Sequence, residues 1–140
     1  MTPRVPSHLY LIHLALMLTP AIFAAVIFLV VLPGAAGNAL SKDESRIYQT
    51  VAAALAVIGV GLSQLMPRFM MRGEKHVLLR QYVSMKIVQW ALVEGSAFFI
   101  AVVFYLTQEK NMLIPLGVLI ALIAMLRPTS DEMDRFNVRN

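Results

Sequence analysis

Glu94 stands within QWALVEGSAFFIAVVFYL, residues 89–106, a run otherwise built almost wholly from aliphatic, aromatic and small side chains. An ionised carboxylate deep in a bilayer costs on the order of 3 kcal/mol even on forgiving insertion scales, so Glu94 is expected to be protonated or paired. Two chemistries suit such a group. It can bind a proton or a cation such as Na+ reversibly, with Gln64 or Ser96 assisting, or a neutral carboxyl can donate a hydrogen bond to a neighbouring helix and fix its register. Gln64 carries the same pair of readings, as a ligand or as a structural amide near the interface.

The remaining polar residues offer less. His13 lies a turn inside an apolar segment and reads as interfacial, with a proton-relay role as the alternative; His8 and His13 are five residues apart without carboxylate company, so no metal site is expected. There is no cysteine, which excludes disulfides and thiolate metal sites. No Ser-His-Asp set, paired carboxylates or phosphate-cradling loop appears, and RGEKH has a single glycine, so an enzyme is not expected. The net charge of +4 comes without a basic stripe interleaved with stacking aromatics, so nucleic acid is not expected as a partner.

The elements that must position these residues follow from composition. Of 140 residues, 59% are hydrophobic and 14% charged, with a mean hydropathy of +0.71, outside the range of soluble domains. Four apolar segments stand out: Leu9 to Leu32, Ile47 to Met66, Ile87 to Leu106 and Met112 to Leu126. The first three meet the roughly 20 residues that a hydrocarbon core demands; the fourth reaches only about 22 Å at 1.5 Å per residue and must extend, thin the bilayer or rely on Arg127 to snorkel. The first is too long for a secretory h-region and is read as a retained helix. An all-α fold is therefore predicted, a single integral membrane domain of four transmembrane helices (about 9–32, 47–66, 87–106 and 110–127) arranged as two helical hairpins, with a short tail over 128–140. ALMLTPAIFAAVIFL (15–29) and ALVEGSAFFIAVVFY (91–105) align at an offset of 76, as a tandem repeat of the hairpin would; Leu18 then stands where Glu94 does.

Small residues indicate how the helices meet. Ala52, Ala56, Gly59 and Ser63 follow spacings of 4, 3 and 4, and Ala91, Ala97 and Ala101 share a face with Glu94. Helices in lipid pack closely through such residues, so Glu94 is expected to face protein. Pro20 after Thr19 predicts a kink in the first helix. Met66, Met70, Met71 and Met85 suit adaptable packing against another subunit, or simple filling. In the tail, Thr129 and Glu132 have capping-box spacing, predicting a short helix that docks on a partner or lies at the interface.

Nine of the twelve Lys and Arg residues fall in the N-terminus, the loop from Pro67 to Lys86 and the tail; Lys42, Arg46 and Lys110 fall on the opposite side. The positive-inside rule then places both termini in the cytoplasm of a multi-pass protein of the bacterial inner membrane. Tyr10 and Trp90, with Tyr48 and Tyr105 near the opposite ends, suit interfacial aromatic belts. The expected partners are lipid and either further copies of the chain or other membrane subunits, the chain serving as a carrier or as an accessory subunit.

ALAVIGVGLSQ (54–64) followed by ALVEGSAFF (91–99) resembles subunit c of rotary ATP synthases, the ring-forming hairpin that carries H+ or Na+ on an intramembrane carboxylate. The resemblance covers residues 47–106. It implies that Gln64 matches the helix-one Gln of Na+-binding members and Glu94 the ion-binding carboxylate, with no cofactor beyond the ion itself.

Overall fold

The computed structural model describes residues 5–31, 33, 40–72 and 77–139. The turn-rich stretch after Pro33, Gly73 within RGEKH, and the charges Arg4 and Lys75 lie outside the described residues. The chain is all-α, as expected. Helix α1 (Ser7–Val26) runs on into a π-helical turn, Ile27–Val31; α2 spans Lys42–Met70, α3 Leu79–Thr107, α4 Leu113–Met125 after a 3-10 turn at Lys110–Met112, and α5 Ser130–Arg135. Two short strands, β1 (Val77–Leu78) and β2 (Val138–Arg139), pair in parallel with Val77 opposite Val138.

Local chemistry sets the helix ends. Helix α2 starts five residues before Ile47 because Ser41 and Glu44 form a capping box: the Ser41 hydroxyl accepts from the Glu44 N–H at 3.3 Å, and the Glu44 carboxylate accepts from the Ser41 N–H at 3.0 Å. Asp43 and Glu44 also sit at the positive end of the helix dipole. Helix α3 starts at Leu79, eight residues before Ile87, where the Gln81 side chain accepts from the Leu78 N–H at 2.9 Å. It stops at Gln108, whose φ of 56° lies in the left-handed region that commonly ends helices. Pro20 sits inside α1 and is buried; it has no N–H to give the carbonyl of Leu16.

Helix α3 is the centre of the molecule. On one flank α2 runs antiparallel to it, held by Gln89 Nε2 donating to the Ser63 carbonyl at 3.2 Å. On the other flank α1 runs parallel to α3, since His13 meets Trp90 and Phe23 meets Phe98, with ring centroids 4.8 and 5.4 Å apart. Helix α4 fits against α3 and α1. The first helix therefore packs on α3 and α4 rather than closing a separate hairpin with α2. Apolar residues from all four helices, among them Ala24, Ala52, Ile100 and Leu119, form one core.

The small-residue stripe of α2 is its packing face: Ala52, Gly59 and Ser63 are buried and Ala56 is half-buried. Ala97 and Ala101 are buried on α3, whereas Ala91 is exposed, contrary to the expected packing role. The reason is angular: α1 approaches the row of Trp90 and Phe98, and Ala91 lies one residue, about 100°, further round the helix.

Large apolar side chains cover the outside, including Leu11, Ile22, Val57, Ile58 and Val118. Three helices are long and apolar enough to cross a membrane. Helix α4, with 13 residues, is about 20 Å long against a hydrocarbon core of about 30 Å. An open apolar groove of about 610 Å³ separates α2 from α4, with Ala56, Val60, Ile100, Pro115 and Leu119 among its lining.

The α2–α3 contact depends on a missing side chain at Gly59, because a Cβ there would collide with Ser96 Oγ and come within 3.0 Å of the Leu92 carbonyl. Gly59→Leu should destabilise the fold by about 1–3 kcal/mol or more through overpacking. Gly61→Ala, with nothing within 4 Å, should be neutral or slightly stabilising. Thermal unfolding in detergent, followed by helicity, compares the two.

Candidate functional site

Glu94 occupies the middle of α3, with 15 residues before it in the helix and 13 after. It belongs to the row Trp90–Glu94–Phe98, so it lies on the α1 side between the His13–Trp90 and Phe23–Phe98 contacts. Its residue is half-buried at this seam rather than enclosed. Among the described residues, no hydrogen bond or ion pair reaches its carboxylate.

The residues expected to assist Glu94 are not gathered round it. Ser96 is two positions on, about 200° round the helix, and faces α2, where its hydroxyl lies 3.0 Å from the Leu92 carbonyl and 3.4 Å from that of Leu55. Gln64 is exposed, and the antiparallel Ser63–Gln89 register sets it level with Val88, about six residues or roughly 9 Å below Glu94 along α3. The amide that bridges α2 and α3 is Gln89.

The structure instead gathers polar side chains at the C-terminal end of α4. The last carbonyls of a helix have no intrahelical donors, and here the end is covered by protein. His13 Nε2 lies 2.7 Å from the Ile123 carbonyl; since a carbonyl only accepts, Nε2 carries the proton. Trp90 Nε1 donates to the Leu126 carbonyl at 2.9 Å, and Lys86 Nζ reaches the same oxygen at 3.4 Å. His13 is thus buried against α4.

Lys86 joins these contacts into a network. It is 2% exposed, donates to Gln89 Oε1 at 3.3 Å and pairs with Glu132 Oε2 at 2.7 Å; Tyr82 Oη donates to the same carboxylate oxygen at 3.0 Å. Glu132 comes from α5, whose N-cap Thr129 accepts from the Glu132 N–H at 3.3 Å. The capping spacing is therefore used by Thr129, while the Glu132 side chain turns to Lys86. The tail docks on its own chain: Met133 is fully buried with Leu9, Tyr82, Met85 and Trp90, and Val138 is buried beside Val77. Sequence reasoning counted Lys86 as a loop charge. The available signal was its place in the 3-and-4 spacing Tyr82, Met85, Lys86, Gln89, Trp90, Val93.

Among the described residues, no group of three or more His, Asp or Glu residues could hold a metal ion, and no buried side-chain polar atom lacks a partner. Comparison with family models, curated proteins and solved structures finds no match to this chain.

The two partners of the ion pair differ in exposure, 2% for Lys86 against 25% for Glu132, so their removal is predicted to be unequal. Glu132→Ala leaves a sealed cation and should cost about 3–5 kcal/mol. Lys86→Met leaves an acid that water already reaches and should cost less. Urea unfolding of the two variants in one detergent measures the difference.

Proposed function

We propose that this chain is a small integral membrane subunit in which Glu94 takes up and releases a proton within the membrane. The observation that supports the reading most directly is that Glu94 sits at mid-helix, half-buried at the α1–α3 seam, with no partner among the described residues. A carboxyl in such a place has two low-energy states, neutral or paired with something brought to it, and exchange between them is the chemistry of a carrier. A proton suits the geometry better than Na+, because a cation needs several converging oxygens and Ser96 and Gln64 lie elsewhere. The antiparallel α2–α3 pair with an acid on its second helix agrees with the resemblance to subunit c.

In this reading α1, α2 and α3 cross the bilayer, α4 with its preceding turn forms a fourth, short span, and both termini lie in the cytoplasm. The α4 end is then the cytoplasmic one, near Arg68, Arg80, Arg127 and Arg135. A second reading keeps the topology and makes the chain an accessory subunit whose neutral Glu94 donates a hydrogen bond to a partner's helix. The half-exposed position of Glu94, next to an exposed Gly95 with open space around it, favours it.

Labelling with a hydrophobic carbodiimide, which attacks protonated carboxyls, followed by intact-mass analysis across pH separates these readings. A carrier predicts one adduct that Glu94→Gln abolishes, with labelling that falls as pH rises and is insensitive to Na+; Na+ protection would replace the proton with a cation. Absence of an adduct at every pH, in an assembly that tolerates Glu94→Gln, would discard the carrier for the accessory subunit.

A further inference from the structure

The buried ion pair is built unevenly. Its cation is on α3 and sealed, whereas its anion is on α5, a helix of six residues that follows Pro128 and remains partly open to water. Water reaches the carboxylate where it stands. The cation side cannot hydrate until the tail leaves.

We propose that residues 129–139 form a clasp held closed by the charge of Glu132, and that neutralising this carboxylate releases the segment from the bundle. The groups facing Glu132 agree with a contact that depends on one charge. From α3 come the Lys86 ammonium at 2.7 Å and the Tyr82 hydroxyl at 3.0 Å. From α5 itself come Asp131 and Asp134, both exposed and of like sign, and the exposed Arg135. From α1 come Tyr10, exposed and close enough to act electrostatically on Tyr82, and His13, whose imidazole is engaged with the Ile123 carbonyl; Arg127, which follows α4, is exposed. Among the described residues Lys86 is the buried lysine or arginine, and an uncharged Glu132 would strand it. Its remaining contacts, Gln89 Oε1 and the Leu126 carbonyl, are neutral and longer, at 3.3 and 3.4 Å.

Release would uncover more than the lysine. Met133 and Val138 lie over Leu9, Val77, Tyr82 and Trp90, so an open clasp exposes the end of α3 and the floor of the α4 cap together. The clasp rests on contacts separate from Glu94 and stands or falls independently of the proton-carrier reading.

The absence of cysteine permits a clean probe. The full chain carrying Ser130→Cys, an exposed position on α5, is spin-labelled in lipid nanodiscs, and the ratio of mobile to immobile signal is read at neutral pH. Adding Glu132→Gln should raise the ratio at least tenfold. Combining Glu132→Gln with Lys86→Met, which removes the stranded cation, should return it to within about threefold of the parent. A ratio unchanged within twofold by Glu132→Gln overturns the proposal, and so does a double variant as mobile as the single one. Should Glu132→Gln lose its helicity, acidification of the labelled parent decides: a rising mobile fraction with helicity retained supports the clasp, and an immobile label throughout the titration overturns it.

Discussion

The architecture depends on how the C-terminal end of α4 is satisfied. A helix of 13 residues leaves its last carbonyls beside α1 and α3, where protein has displaced water. Three donors from those two helices meet that demand, His13 from α1 and Lys86 and Trp90 from α3. Each sits at the negative end of the α4 dipole, which favours the positive charge of Lys86 there. The cap also sets the order of the helices. His13 must face α4 while meeting the Trp90 ring at a tilt of 52°, so α1 lies parallel to α3 at this end, and the Lys86 ammonium then requires the carboxylate that the tail supplies.

Against that network Glu94 is an exception. Among the described residues, the buried polar side chains His13, Ser63, Lys86, Gln89, Ser96 and Thr107 have hydrogen-bond partners, as buried polar groups generally do. Glu94 stands one turn of α3 beyond Trp90 and has none among the described residues. The contrast distinguishes two uses of polarity in one helix. Lys86 and Gln89 join elements of the same chain, whereas Glu94 joins none among the described residues.

The two flanks of α3 are built differently. On the α1 and α4 side, hydrogen bonds and aromatic contacts set the register. On the α2 side, close approach through Gly59, Ala52 and Ser63 does so, with Gln89 and Ser96 reaching the α2 backbone at the Ser63 and Leu55 carbonyls. Helix α2 exposes most of its circumference, including Val57, Ile58 and Phe69, and the groove beside α4 extends that apolar surface. Lipid accepts such a surface readily, since it makes no demand for polar partners.

Composition and segment length by themselves determined that the chain is helical and apolar enough for a membrane, because burying backbone in lipid leaves helices as the economical solution for runs of about 20 apolar residues. Spacing alone revealed the packing stripe of α2, since residues three and four apart share a face whatever they pack against. Apolar length put the start of α2 at Ile47; the true start at Lys42 is set by Ser41 and Glu44, a polar local motif that a hydropathy boundary passes over. Other features were not legible. Ser96 and Glu94 adjoin in sequence but lie on opposite faces, and only the directions from which α1 and α2 approach α3 assign each its surroundings. Lys86 reads as a topology charge until α4 proves short and the tail returns. Its pairing with Glu132, 46 residues away, links elements whose contact no local pattern encodes. The sequence therefore decided which segments are helices and which faces are small, because those follow from short-range sterics and solvation. Only the tertiary structure decided which polar groups are satisfied within the chain, because that depends on where distant backbone carbonyls end.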